Sequence, residues 1–363
     1  MEINATIEKI QYAALLPETL KTFNIKDFDI NNVPTACLVK IARTTFAISK
    51  WVSPKRTRSY PYERVYNTLG NSKRITVIPI VKDEGQAGDR DYLQWDTVSL
   101  MSLLDVFVIF AYYKKADAVG NKITNQEFDN EYVIQKINEI KNCHSSALHW
   151  NLDELKNNFD KLLVKVKSSY TQIQKQTGIM LHDFAGIDNF RRKIGKDIEK
   201  FKQFSREKAE KAQAREVVTT QPKEALSTST KAKITITNYL GGEYHFTVDE
   251  IEIYKGTVSL IESKHSKNAL LPSKSDIKDG LLKLILYCNL ASLSVKRKKH
   301  TCLPVLKLTS SQLKGAINSS QKAKDITAFV QANALNSTQT NLLKTLFAEA
   351  AKNKFIALIQ HAT

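Results

Sequence analysis

The chain is poor in cysteine, and its four thiols are widely spaced. Cys37, Cys143, Cys288 and Cys302 lie far apart, and no two of them form a C-x-x-C pair. Disulfide frameworks and structural zinc sites use clustered cysteines at short spacings. The scatter therefore favours reduced thiols in a cytoplasmic protein over either of those classes.

Several other features are missing. No apolar run approaches the roughly 20 residues of a membrane-spanning helix; the longest candidate, residues 106–113, is typical of a buried strand or helix segment. Residues 1–10 lack the basic-then-apolar pattern of a signal peptide. There is no Walker-type phosphate loop, so ATP-driven function has no support, and the histidines lack metal or triad spacing. We therefore expect no membrane partner and no nucleotide cofactor.

The balance of charge is strongly basic. The 363 residues contain 54 Lys and Arg against 37 Asp and Glu, which gives a formal net charge of +17 and a pI near 9.5. Such a balance favours polyanions, because phosphate contacts release counterions. With 42% hydrophobic residues, the chain is long enough for two domains. The composition therefore predicts a nucleic-acid partner.

Basic residues concentrate between Lys50 and Arg74, where there are seven of them against one acid, Glu63. Tryptophan and tyrosines are interleaved, and two prolines keep the first half out of a helix interior. A loop of this kind can hold phosphate oxygens, and its arginines can read guanine edges. A solvated basic loop is the alternative. The candidate DNA-binding residues are Lys55, Arg56, Arg58, Tyr60 and Arg64, with Arg56 and Arg58 first.

Helical periodicity dominates the middle of the chain. Residues 151–175 have the apolar spacing of one amphipathic helix, and residues 187–217 repeat the pattern with more charge. Residues 219–233 are polar and aperiodic, as in a linker. Residues 310–335 and 337–362 are further helical patterns. We thus expect three regions: an N-terminal α+β domain that is the candidate for DNA recognition (1–125), a helical connecting region (126–218) and a C-terminal domain (219–363).

Residues 248–267 carry the strongest chemical pattern. Asp249 lies near the start of one strand-like segment, and a second apolar strand ends in Glu262, Ser263 and Lys264 after a Lys-Gly turn. Alternation along the strand places Glu262 and Lys264 on one face and Ser263 on the other. Two carboxylates and a lysine on adjacent strands can hold a divalent metal and an attacking water. The pattern predicts metal-assisted phosphodiester hydrolysis; an exposed charge pair is the simpler alternative.

The surrounding sequence favours a buried site. The run before Glu262 is apolar enough for a central strand, where unpaired charges are seldom tolerated. Residues 273–293 begin with Ser and Asp, which are helix-start signals, and continue with a broad apolar face. Residues 301–310 form a further strand pattern. Strand, strand, helix and strand make a compact unit around one sheet.

This segment resembles the core of the PD-(D/E)xK nuclease superfamily over roughly residues 195–310. Residues 233–240 would be its first strand and 244–254 its second. The family's strand-two acid falls on Asp249, and its Glu-x-Lys pair falls on Glu262 and Lys264. Departing from the family pattern, no proline precedes the aspartate. For the strand-two acid, Glu250 ranks second to Asp249, and Glu252 is a further rival. The family often adds a glutamate from an upstream helix, for which the candidates are Glu199, Glu207 and Glu210.

The resemblance implies a mixed α/β (α+β) fold with a restriction-endonuclease-like αβββαβ core in the C-terminal domain. It implies Asp249 and Glu262 as Mg²⁺ ligands and Lys264 as the third catalytic residue. The implied activity is that of a type II restriction endonuclease, which cleaves specific sites in double-stranded DNA as a homodimer. A repair or structure-specific nuclease of the same fold, or a non-catalytic DNA-binding protein, are the alternatives.

Overall fold

The computed structural model describes residues 1–51, 65–194, 197–207 and 232–362. Its mixed α/β architecture confirms the predicted fold class at that level. The chain divides into two compact units. Met1–Glu18 and Ala209–Thr363 form the split unit, and Thr19–Lys208 forms the continuous unit.

The first strand, β1 (Glu2–Ile7), belongs to the split unit, and the described residues of the continuous unit then form nine strands. Its main sheet has the order β2-β3-β4-β5-β8, and β6–β7 and β9–β10 form two-stranded ribbons. The predicted strand or helix at 106–113 is a strand, buried in this sheet. The bounds are β2 (Thr22–Asn24), β3 (Ala36–Ile41), β4 (Thr44–Lys50), β5 (Arg74–Pro79), β6 (Val81–Asp83), β7 (Arg90–Tyr92), β8 (Phe107–Ala111), β9 (Tyr113–Val119) and β10 (Lys122–Phe128), with a 3₁₀ turn at Ile25–Asp27.

One helix of the continuous unit lies between β7 and β8, and the other labelled helices of this unit follow β10. The prediction of one continuous helix at 151–175 is wrong, because the helix is interrupted at Asn158. This residue has a φ of −118°, ends one helix and begins the next. Its side-chain amide donates to Glu154 Oε1 at 2.8 Å and stabilises the break. The second predicted helical pattern, at 187–217, is helical at residues 187–194 and largely helical at 197–207. The rest of it lies outside the described residues. The bounds are α1 (Trp95–Leu103), α2 (Asn130–Lys141), α3 (Ala147–Asn157), α4 (Phe159–Thr177) and α5 (Ala185–Ile194).

The split unit contains two five-stranded sheets. One has the order β12-β11-β1-β15-β16, and the other, which holds the candidate site, has the order β13-β14-β17-β19-β18. Among the described helices of the whole chain, none has the length and apolarity to cross a membrane. The bounds are β11 (Ala232–Asn238), β12 (Glu243–Val248), β13 (Glu250–Tyr254), β14 (Thr257–Ser266), α6 (Lys274–Tyr287), β15 (Leu290–Val295), β16 (Lys298–Lys299), β17 (Thr301–Ser310), β18 (Ala316–Asn318), α7 (Ala323–Ala332), α8 (Ser337–Asn353) and β19 (Ile356–His361).

The second sheet has a parallel centre. β17 pairs in parallel with both β14 and β19, while β13 joins β14 as an antiparallel hairpin. Parallel strands are usually covered by helices and are rich in apolar residues. Helix α6 packs on β14 and β17, and its Leu281, Leu284 and Ile285 are buried. Ser273 caps the helix by accepting a hydrogen bond from Asp276 N at 3.1 Å. The predicted strand–strand–helix–strand unit is present, with β15 and β16 inserted before the last strand.

The helical patterns predicted near the C-terminus are only partly right. Within 337–362, α8 ends at Asn353, Lys354 adopts a left-handed conformation (φ 59°), and β19 follows. Ala357 and Ile359 are fully buried where β19 pairs with β17, and this pairing overrides the helical pattern. Within 310–335, only α7 is helical; β18 precedes it and pairs with β19.

Neither of the two units begins or ends at residue 125, where the first domain boundary was predicted. Strand β1 pairs in parallel with β11 and antiparallel with β15, so the first residues belong with the C-terminal part of the chain. The reason is burial: Ile3, Ala5 and Ile7 alternate with exposed residues and are at most 3% exposed. The predicted boundary at 218 lies outside the described residues.

Candidate active site

Glu262 and Lys264 lie on one face of β14, as strand alternation predicts. Lys264 Nζ is 2.8 Å from Glu262 Oε1. Ser263 points to the opposite face, where its Oγ donates to Glu250 Oε1 at 3.1 Å. Glu262 is only 1% exposed because β14 is flanked by β13 and β17. The pair is therefore part of the interior rather than an exposed charge pair.

Asp249 lies at a bend between β12 and β13. The strand predicted at 244–254 is thereby split, and each half belongs to a different sheet. Asp249 Oδ2 accepts a hydrogen bond from the backbone N–H of Ser263 at 2.9 Å. This bond ties the bend to the backbone of the residue that follows Glu262, and the Asp249 and Glu262 carboxylates are close enough for their charges to interact.

The rival acid Glu250 faces the other side of the sheet. Its two carboxylate oxygens lie 2.9 and 2.8 Å from Lys307 Nζ. Glu252, the other rival, is exposed further along β13. Of the three acids, Asp249 is the one placed beside Glu262.

Helix α6 contributes two charged residues that the sequence reading missed. Lys283 Nζ lies 2.7 Å from Glu262 Oε2, and Asp279 Oδ2 lies 2.8 Å from Lys264 Nζ. Because residues four apart share a helix face, Asp279 and Lys283 both point to the strand. Two opposite charges at that spacing, with Lys283 inside the apolar run from Leu281 to Leu286, were the available signal. The result is a chain of alternating charges, in which Lys264 bridges Asp279 and Glu262, and Glu262 bridges Lys264 and Lys283.

Gly280 permits this helix to approach the strand closely. A Cβ at this position would lie 2.6 Å from Leu306 Cδ1 and 3.6 Å from Glu262 Cγ. The first distance is shorter than any normal contact between carbon atoms. The absence of a side chain at Gly280 therefore sets the separation between α6 and the charged face of β14.

We expect Gly280→Ala to destabilise the protein by about 1–2 kcal/mol, since overpacking outweighs the gain of about 1 kcal/mol in helix propensity. In a Leu306→Ala background the clashing atom is gone, so the same substitution should become neutral or stabilising. Urea unfolding of the four proteins in this double-mutant cycle measures both effects. Destabilisation of equal size in both backgrounds would contradict the close-approach explanation.

Burial and charge give the two carboxylates opposite behaviour. Burial alone would raise the pKa of Glu262, but Lys283 and Lys264 outweigh it and lower that pKa to about 2. Burial and then the neighbouring Glu262 raise the pKa of Asp249 to about 7, against weaker opposing effects of the lysines. Burial would lower the pKa of Lys283, yet Glu262 and Asp249 raise it well above its usual value. The site thus holds one firmly ionised carboxylate next to one that is reluctant to ionise.

Two buried polar atoms at this site lack hydrogen bonds from other described residues. Glu262 Oε2 has Lys283 beside it as an ion-pair partner but accepts no hydrogen bond of normal geometry. Tyr287 Oη, one turn after Lys283 on α6, has no hydrogen-bond partner, and burial raises its pKa. Buried polar groups are normally satisfied. These atoms leave capacity for an additional group at the site.

The donor set suits a hard divalent cation. Within the described ranges, no three His, Cys, Asp or Glu side chains are grouped to hold a metal ion. Mg²⁺, however, is commonly bound by one or two carboxylates, with water and substrate phosphate completing its shell. Asp249 and Glu262 are such a pair, and a bound cation would offset the burial and the Glu262 charge that together raise the pKa of Asp249. The residues present therefore fit Mg²⁺.

The other predicted site residues either lie outside the described residues or belong to the continuous unit. Lys55, Arg56, Arg58, Tyr60 and Arg64 lie outside the described residues, as does Glu210. The remaining two glutamates belong to the continuous unit: Glu199 is exposed and pairs with Lys202 at 2.6 Å, and Glu207 is exposed.

No protein-family model matches the chain, and neither a curated protein nor a solved structure matches it significantly.

Proposed function

We propose that the chain is a Mg²⁺-dependent endonuclease of double-stranded DNA in the PD-(D/E)xK superfamily, resembling type II restriction endonucleases. One observation carries the proposal. The Asp249 and Glu262 carboxylates interact electrostatically in a buried setting, and Lys264 Nζ lies 2.8 Å from Glu262 Oε1 on the same strand face.

The order of elements supports the same family. Strand β11, the bent strand β12–β13, β14, helix α6 and β17 follow the order that the family resemblance implies, and the strand-two acid falls at the bend. Strands β15 and β16 are an insertion relative to that order. The helix that would precede the first strand falls partly outside the described residues.

Each residue has a distinct role in this proposal. Asp249 and Glu262 would hold Mg²⁺, which when bound lowers the pKa of a coordinated water and offsets charge on the phosphate. Lys264 is fixed by Asp279 and Glu262, so its ammonium group is oriented to donate to the water or to a phosphate oxygen without reorganisation. Lys283 keeps Glu262 ionised. The carboxylate pair thus binds the cation, and the lysine positions the nucleophile.

The net charge of +17 supports a polyanionic substrate. A homodimer in the cytoplasm follows from the family resemblance, because two active sites are needed to cut two strands of a palindrome. The residues proposed to contact DNA are Lys55, Arg56, Arg58, Tyr60 and Arg64 of the continuous unit.

We expect the purified protein to cut plasmid DNA with Mg²⁺ and not with EDTA. Lys264→Ala should lower the cleavage rate by about 10²–10³-fold, since it removes an oriented donor. The matched control is Lys307→Ala, which breaks the Glu250 ion pair on the opposite face of the same sheet and should retain activity within a few fold.

The products distinguish the alternatives. Discrete bands support a restriction endonuclease, whereas a dependence on branched or damaged substrates supports a repair or structure-specific nuclease. Absence of cleavage across divalent metals and DNA sequences, with DNA binding retained, would refute the enzymatic proposal in favour of a non-catalytic DNA-binding protein.

A further inference from the structure

A second basic feature lies in the split unit, away from the residues that the proposed chemistry uses. Lys296, Arg297, Lys298 and Lys299 are consecutive, and all four are exposed. They form the turn between β15 and β16 and all of β16, and we call them the basic hairpin. None of the four side chains has a hydrogen bond or ion pair with any described residue. Four cations are thus presented to solvent without counter-ions from that part of the chain.

The backbone of the basic hairpin is unusual for these residue types. Lys296 and Arg297 have φ values of 48° and 66°, the left-handed pair that a two-residue hairpin turn requires. Glycine and asparagine are the favoured residues there, and other side chains adopt this conformation at a cost of about 1 kcal/mol or more. Two long basic side chains occupy these positions despite that cost.

Neighbouring residues extend the positive surface. Thr301 N, two residues after the hairpin, donates to Gly256 O at 3.0 Å, and this places the β13–β14 turn beside it. That turn carries the exposed Lys255, whose Nζ lies 5.2 Å from the ring centre of Tyr254, itself 70% exposed. On the neighbouring strand β1, the acid Glu2 precedes Ile3, which pairs with Val295 at the end of β15. Positive charge predominates at this end of the unit.

The hairpin is separate from the candidate active site. Thr301 and Thr257 pair at the start of their strands, with their hydroxyl oxygens 2.8 Å apart. Lys264 is seven residues further along β14, or about 23 Å at about 3.3 Å per residue. That span corresponds to about seven base pairs of duplex at about 3.4 Å each. A duplex positioned at the carboxylates is therefore long enough to reach the hairpin.

We propose that the basic hairpin is a sequence-independent contact to the phosphate backbone of double-stranded DNA. The choice of DNA over another polyanion rests on the proposed nuclease function of the same unit. Flexible cations on a fixed turn match phosphate oxygens, which position a duplex without reading its bases. Lysines also protect edge strands from pairing with other chains, and β16 is an edge strand, so solubility is the competing explanation.

The test is equilibrium binding to a duplex of about 30 base pairs in EDTA, at several salt concentrations, with the full chain. The triple variant Arg297→Gln, Lys298→Gln, Lys299→Gln should bind about 10- to 100-fold more weakly near 100 mM salt, and its slope of log affinity against log salt should be shallower by about 2–3. The matched control is Lys324→Gln, Lys344→Gln, Lys352→Gln, which removes equal charge from exposed helical positions of the same unit and should change both quantities little.

Binding in EDTA separates this inference from the proposed function. Loss of duplex affinity in the hairpin variant supports the inference, whether or not the wild-type protein cleaves DNA. Equal affinity and slope in the two triple variants would overturn it. Two further outcomes would also overturn it. One is aggregation of the hairpin variant with unchanged duplex binding. The other is a hairpin variant that binds phosphatidylserine vesicles more weakly but binds the duplex as before.

Discussion

Replacing Glu262 with glutamine is expected to abolish cleavage and to destabilise the protein in the same step. The carboxylate is a proposed metal ligand, and losing several kcal/mol of stabilisation of the developing charge corresponds to a rate decrease of about 10³-fold or more. The substitution also leaves the buried Lys283 without its ion-pair partner, which costs about 3–5 kcal/mol in other proteins. Both the cleavage rate and the free energy of unfolding should therefore fall.

A second variant separates the two effects. In Glu262→Gln, Lys283→Met, the uncompensated ammonium is gone, so most of the lost stability should return while cleavage stays absent. Urea unfolding and a single-turnover cleavage assay measure the two quantities. Recovery of cleavage in the double variant would mean that Glu262 serves only as the partner of Lys283, and would refute its role as a metal ligand.

Replacing Asp249 with asparagine should have the opposite effect on stability, in a pH-dependent manner. Because burial and Glu262 raise the pKa of this carboxyl to about 7, the folded protein resists ionising it. The unfolded chain ionises it near pH 4, so the penalty grows from about pH 4 to pH 7 and is complete above pH 7. Asparagine removes the penalty and keeps an oxygen to accept the Ser263 N–H bond.

In EDTA, Asp249→Asn should therefore be more stable than the wild type by about 2–4 kcal/mol near pH 8 and nearly equal to it near pH 4. Added Mg²⁺ should stabilise the wild type and not the variant, because binding requires the ionised carboxylate. Thermal and urea unfolding at both pH values provide the measurement, with the exposed Glu252→Gln as control. A stability difference that does not change with pH, or equal stabilisation by Mg²⁺, would contradict the assignment of Asp249.

The sequence predicted the part of the site that depends on local geometry. Strand alternation alone places Glu262 and Lys264 on one face, and the Lys255–Gly256 turn pairs β13 with β14. Alternation could not choose between Asp249 and Glu250, because the bend at Asp249 interrupts the regular period at that point. The choice depends on the Ser263 N–H bond, a contact across the hairpin.

Long-range packing accounts for what the sequence did not predict. Asp279 and Lys283 lie on a helix whose apolar pattern was clear, but their partners are on β14, fifteen and twenty-one residues earlier. Strand β19 follows α8 after only Lys354 and Phe355, so the helical pattern carried over into it. Its conformation is set by β17, some fifty residues away, with which Ala357 pairs opposite Leu306.

The position of β1 has a consequence for how the protein reaches its native state. Glu2 pairs with Lys233 and Ile3 pairs with Val295, so the central strand of one sheet joins residues separated by 231 and 292 positions. Such pairings form slowly, because the intervening chain must be brought together first. During synthesis the continuous unit is complete long before β15 exists, whereas the split unit must await it. A fragment beginning at residue 209 would lack its central strand and leave the edges of β11 and β15 open to other chains.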